Sequence, residues 1–189
     1  MPKAYLVMDR DYMYTDEIYA PWFEDNICTE PMQVFDTHEE AEQHARTLAL
    51  PRFRGLRLQD YALGSTELLT SLPLQAFYQK LAEALGDASI FQDSKKNPKT
   101  AWMDIEIPAH LSDERLHQVM DVLDRIRFYD VVESTTEDEA ALEQAKTLIN
   151  AGVVDPEEKN FRAYRVPEDE IAQAVQLFGL EFEPFDGGL

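Results

Sequence analysis

Cysteine is almost missing from this chain: Cys28 stands alone, so no intrachain disulfide can form. Stability must come from burial, and 189 residues are enough to build a sizeable core without covalent staples. A lone thiol also suits a reducing cytosol. Glycine is sparse, seven in all and scattered, and neither the P-loop nor the dinucleotide-fold glycine spacing occurs. Basic residues are outnumbered, 17 Lys and Arg against 37 Asp and Glu, for a net charge of -20. Such a field repels nucleic-acid phosphate and anionic membrane and favours cationic partners. No apolar run approaches the roughly 18 residues a membrane span requires. The first apolar run is cut by Asp9, Arg10 and Asp11 too early for a signal peptide, so a soluble cytoplasmic protein is expected.

Catalytic patterns are thin as well. The four histidines do not pair at ligand spacing: His38 and His44 lie six apart, and His110 and His117 flank a helix start. Cys28 has Asp25 and Glu30 nearby and no base to lower its thiol pKa. Ser65 sits in Gly-Ser-Thr without a nucleophile-elbow pattern. No cofactor is expected.

What the chain does contain is a succession of strand-like and helix-like stretches. Ala4–Asp9 is apolar on both faces, as in a strand covered on two sides and central in its sheet. Arg10–Glu30 reads as a long loop, and Met32–Phe35 as a short strand. Thr37 and Glu40 form a capping box for a helix to Leu48, with Ala41, Ala45 and Leu48 as its inner stripe and Pro51 as its stop. Leu56–Leu63 is a weakly patterned strand. Pro73 opens a helix whose face is Leu74, Phe77, Tyr78, Leu81, Ala84 and Leu85, closed by Gly86.

Residues 92–100 read as a polar connecting loop. Ala101–Ile107 alternates like a half-exposed strand, with Met103, Ile105 and Ile107 facing in. Ser112 caps a helix through Leu123. Arg127–Val132 is a strand, Thr135 or Thr136 starts a helix to Asn150, Phe161–Val166 is a strand, and Pro167 opens a last helix. The expected fold is α+β or α/β: a mixed β-sheet with amphipathic helices packed on it. The expected organisation is one domain over 1–189, with possible sub-lobes 1–91 and 101–189 joined by the polar loop 92–100.

The opening Tyr5-Leu6-Val7, the run Tyr12-Met13-Tyr14-Thr15-Asp16-Glu17, Tyr19, and Val34-Phe35 followed by Glu39-Glu40-Ala41-Glu42 resemble the start of a loose group of uncharacterised bacterial proteins. The likeness covers about the first quarter of the chain. It implies a bacterial cytosolic protein and carries no activity with it.

The loop after the first strand interleaves rings with carboxylates, and it is the candidate site. Asp11, Tyr12, Tyr14, Asp16, Glu17, Tyr19 and Trp22 are the candidate partner-binding residues, since aromatics anchor interfaces and complementary charge speeds encounter. They point to a non-enzymatic interaction protein, of immunity or inhibitor type, that engages a basic protein.

A second reading gives Asp9, Asp11, Asp16 and Glu17 to a divalent metal in a hydrolase or transferase, because hard cations take oxygen ligands. The calcium-loop template fails, with Met13, Tyr14 and Ala20 at its fifth, sixth and twelfth positions. In a third reading the rings only pack. Arg52, Arg54 and Arg57, with Lys95, Lys96 and Lys99, are expected to clamp acidic helices of the same chain rather than hold an anion.

Overall fold

The structure, a computed structural model, describes residues 1–9, 13–15, 18–22, 30–61, 65–152 and 168–178. The chain divides into two compact units. The first joins Met1–Asp11, Glu24–Leu48 and Phe128–Leu189; the second joins Tyr12–Phe23 and Ala49–Arg127. Each is α+β in character.

In the first unit, β1 (Lys3–Asp9) lies between β4 (Glu30–Phe35) and β5 (Tyr129–Thr135), both antiparallel to it. The apolar alternation on both faces predicts a central strand, and β1 occupies that place. Ala4, Leu6 and Met8 share one face with Val34 and Val132. That face packs on α5 (Glu139–Gly152) through Leu142, Ala145 and Ile149, and on α6 (Glu168–Leu177) through Ile171, Ala174 and Val175. Burying each Leu or Ile of this set contributes about 1.5–3 kcal/mol. On the other face, Tyr5 and Phe35 meet the rings of His38 and His44, at centroid distances of 5.7 and 5.0 Å. Both histidines belong to α1 (His38–Phe53).

Thr37 caps α1 as expected. Its hydroxyl accepts the Glu40 N–H at 3.2 Å and donates to the Glu40 carboxylate at 2.7 Å. Pro51 does not stop the helix. It falls in the last turn, where a proline removes a single ladder bond, and the helix runs on to bury Phe53. Likewise α5 starts later than Thr135 or Thr136. Both residues follow the β5 path, with the Thr136 N–H still donating to the Pro2 carbonyl, and Asp138 then caps through the Ala141 N–H at 3.0 Å.

In the second unit, α2 (Leu74–Leu85) buries Phe77, Tyr78, Leu81, Ala82 and Ala84, and packs on α3 (Ala88–Lys96) and α4 (Asp113–Val122). Ser112 caps α4 through the Arg115 N–H. The polar loop expected at 92–100 is therefore helical over its first half. Asp87 accepts the Ser89 N–H at 2.9 Å to start α3, and Lys95 and Lys96 sit in its last turn, where the dipole favours cations. That stretch lies wholly inside the second unit.

Ala101–Ile107 is not the alternating strand its pattern predicts. Ala101–Asp104 is a turn of 3-10 helix that buries Trp102 completely and leaves Met103 exposed. Trp102 decides this. Its backbone N–H donates to the Tyr78 hydroxyl at 3.1 Å and its indole N–H to the Lys99 carbonyl at 3.1 Å, an arrangement a strand cannot offer. Only the following residues extend: Gly55 and Leu58 donate to the Ile107 and Ile105 carbonyls. Within the stretch expected as a strand at Leu56–Leu63, Leu58–Asp60 is instead a 3-10 turn, and residues 62–63 lie outside the described residues.

Arg10–Glu30 is not a plain loop either. It contains β2 (Met13–Thr15) paired antiparallel with β3 (Ile18–Trp22). Pro21 argues against a strand by sequence, but both strands of a two-stranded sheet are edges, where a missing N–H is tolerated. The expected strand Phe161–Val166 and the tail after Phe178 lie outside the described residues. Among the described residues, no helix is long and apolar enough to cross a membrane.

Candidate partner-binding surface

The ring-and-carboxylate stretch falls on both units. Asp9 and Asp11 belong to the first; Tyr12, Tyr14, Asp16, Glu17, Tyr19 and Trp22 belong to the second. Asp11, Tyr12, Asp16 and Glu17 lie outside the described residues. Tyr14 is carried on β2, and Tyr19 and Trp22 on β3, with Met13 opposite Trp22 and Thr15 opposite Ile18. Asp9 closes β1, opposite Glu30 on one side and Tyr129 on the other, and it is only 3% exposed. Among the described residues, no three His, Cys, Asp or Glu side chains are grouped closely enough to hold a metal ion.

Folding redistributes the charge. The first unit gathers 24 acids and 7 bases, net -17, while the second has 13 acids and 10 bases, net -3. The second unit uses its arginines to hold itself together. The Arg54 guanidinium spans the Ala109 carbonyl at 3.0 Å and the Asp113 carboxylate at 2.6 Å, tying it to the start of α4. Arg57 grips Asp60, and Arg125 donates to the Glu67 carbonyl at 2.7 Å. Lys96 pairs with Asp93, and Lys95 stands 4.6 Å over the Phe91 ring. Of the basic cluster, Arg54, Arg57 and Lys96 pair with carboxylates of their own chain, and of these Arg54 reaches a separate acidic helix. An open cavity of about 450 Å³ between α2 and α3 is lined by Ala82, Ala88 and Phe91, with Gln79, Glu83 and Gln92 as its polar groups. Gln79 and Glu83 bond each other at 3.3 Å.

The first unit has fewer cations, and two of them are committed. Lys146 is bracketed by Asp36 at 2.5 Å and Glu143 at 3.0 Å, and these bonds hold its ammonium pKa above the ordinary lysine value. Lys3 pairs with Glu133 at 2.7 Å, which raises the lysine pKa and lowers that of the carboxyl. His38 adds a longer contact to Glu42 at 3.8 Å. Exposed acids remain in excess: Glu39 on α1, Glu137, Asp138 and Glu139 at the start of α5, and Asp169 and Glu170 on α6.

The two outer edges of the sheet differ. Thr136 donates to Pro2 at 3.4 Å, one step beyond the pairing of Thr135 with Lys3, and this sets the phase of the ladder. Val132 and Ser134 turn their backbone groups toward β1; Val131 and Glu133 turn theirs away. The same phase turns Val34, opposite Leu6, away from β1 on the other side. There the Asn150 amide meets it: the Val34 N–H donates to Oδ1 at 2.7 Å, and Nδ2 donates to the Val34 carbonyl at 3.3 Å.

Sequence reasoning missed both features. The charge grouping joins three separated segments, and the edge seal joins residues 116 apart. Only the Asn at the end of a helical stripe was visible, and its partner was not.

Comparison with protein-family models, with curated proteins and with solved structures finds no match to this chain.

Proposed function

We propose that this is a non-enzymatic interaction protein that binds a basic protein partner, in the manner of an immunity or inhibitor protein, in the cytoplasm. One observation carries the reading: 17 of the 20 net negative charges fall in a single unit whose acids outnumber its bases more than threefold. Self-repulsion on that scale costs stability, and a cationic partner offsets it. Complementary fields also raise association rates and suppress wrong partners.

The test is affinity capture from a native lysate at about 50 mM and about 300 mM salt, followed by binding of the purified captured protein. The expected partner is basic. Its affinity falls with salt and falls again in the double variant Glu139→Lys, Asp169→Lys. If the purified candidate binds equally at both salts, or no basic candidate binds directly, the reading is wrong.

A further inference from the structure

We propose that the outer edge of β5 is the docking line, and that its occupant is an extended, lysine- or arginine-rich segment of the partner, added as a further strand. This rests on the basic-partner reading and goes beyond it by naming the place and the conformation of what binds. Among the described residues the sheet ends at β5, in the order β4-β1-β5. Val131 and Glu133 present their N–H and C=O groups outward there, at the two-residue repeat another strand would match.

The opposite edge is protected in three ways: the Asn150 amide on Val34, Pro31 within β4, and a bulge in its pairing between Val7 and Met8. Among the described residues, Val131 and Glu133 of β5 meet none of these. The strand contains no proline and no lysine, and its register against β1 is unbroken over seven residues. A strand edge left in this state templates pairing with another chain, which is one of the recurring modes of peptide recognition.

Charge selects the occupant. Glu133 is on the edge strand and exposed, and Glu137, Asp138 and Glu139 follow within six residues. A second copy of β5 laid edge to edge would bring Glu133 and its acidic neighbours against themselves, and like charges opposite one another destabilise a strand pair. A cationic strand meets the reverse. Lys3 already bonds Glu133 at Oε1, 2.7 Å, and the Tyr5 hydroxyl bonds the same carboxylate, so a partner's lysine shares Glu133 with them.

The experiment uses the full chain and a synthetic decapeptide of alternating Lys and Val, with a Glu-Val peptide and a Lys-Val peptide carrying alternate backbone N-methyl groups as controls. Amide exchange at Val131 and Glu133 is followed by NMR alongside fluorescence anisotropy. In the free protein these two amides should exchange fast. They should be protected on Lys-Val binding, while neither control protects them. Glu133→Gln should weaken the Lys-Val peptide about threefold, in line with one cross-strand charge pair.

Slow exchange at both amides in the free protein at every concentration would mean the chain fills its own edge, and would overturn the proposal. Protection that rises with protein concentration alone would put a second copy there and would overturn it equally. Lys-Val binding that is salt-sensitive but leaves Val131 and Glu133 unprotected would sink the edge while leaving the basic-partner reading intact. Absence of Lys-Val binding would also reject the edge, and binding by the captured partner would then decide the broader reading separately.

Discussion

Asn150 accepts the Val34 N–H and donates to the Val34 carbonyl, so one side-chain amide stands in for a neighbouring strand at the β4 edge. Asn150→Ala leaves both groups of a buried residue without those partners. The expected cost is about 1–3 kcal/mol in urea unfolding, with new self-association on size-exclusion chromatography as the edge opens. His44 makes a pH-dependent prediction. Its imidazole lies half-buried against Phe35, and burial pushes its pKa below the ordinary 6.5 because the charged form is disfavoured. As pH falls through that value, the unfolded chain takes up the proton before the folded one. Its contribution is therefore intact above about 6.5 and lost progressively below it. In His44→Gln, the drop in urea midpoint between pH about 7.5 and about 5.5 should be smaller than in the parent. An unchanged drop would show that His44 has no part in it. The burial that creates the shift was only half readable in sequence: two histidines on one helix suggest different sides, but the ring that covers His44 comes from β4.

The second unit's main hairpin of helices turns at Gly86, which closes α2 in the left-handed region at φ 68°. Its N–H continues the helical bonding to the Ala82 and Glu83 carbonyls. A Cβ there would come within 2.6 Å of the Arg115 guanidinium, which itself donates to the Ala84 carbonyl. Gly86→Ala should therefore cost about 1 kcal/mol or somewhat more by chemical denaturation, and adding Arg115→Ala should recover only the steric part, since the backbone strain stays. Glycine after a helical apolar face is a local signal, and it was legible. So were the Thr37 and Ser112 caps, and the two-sided apolar run of β1, because each depends on neighbours within a few residues. The errors share one cause. Met103, Ile105 and Ile107 alternate, but complete burial of Trp102 against Tyr78 outweighed a period-two pattern. Residues 92–100 are polar enough for a loop, but Asp87 and the terminal lysines support a short helix over the first half. Local propensity is a weak prior wherever a distant side chain supplies the better hydrogen bond.

For the whole molecule, the first unit's charge of -17 predicts that mutual repulsion opposes folding at low ionic strength. Salt of about 0.1–0.3 M screens charges beyond roughly a Debye length, so the melting temperature should rise across that range. Glu139→Lys with Asp169→Lys should raise the low-salt melting temperature and flatten the response. A melting temperature that falls with salt would mean that ion pairs such as Lys146 with Asp36 outweigh the repulsion.

Composition alone determined that the chain is acidic, lacks a disulfide and carries enough apolar residues for a core, because those properties do not depend on arrangement. Local spacing determined the central strand and most helix caps, because helix and strand periods are set by the backbone itself. Only the tertiary structure decided which segments share a unit, and therefore where the negative charge collects. It also decided that Asn150 seals the β4 edge. Those outcomes depend on side chains more than a hundred residues apart meeting at hydrogen-bond distance, and no local pattern encodes that meeting.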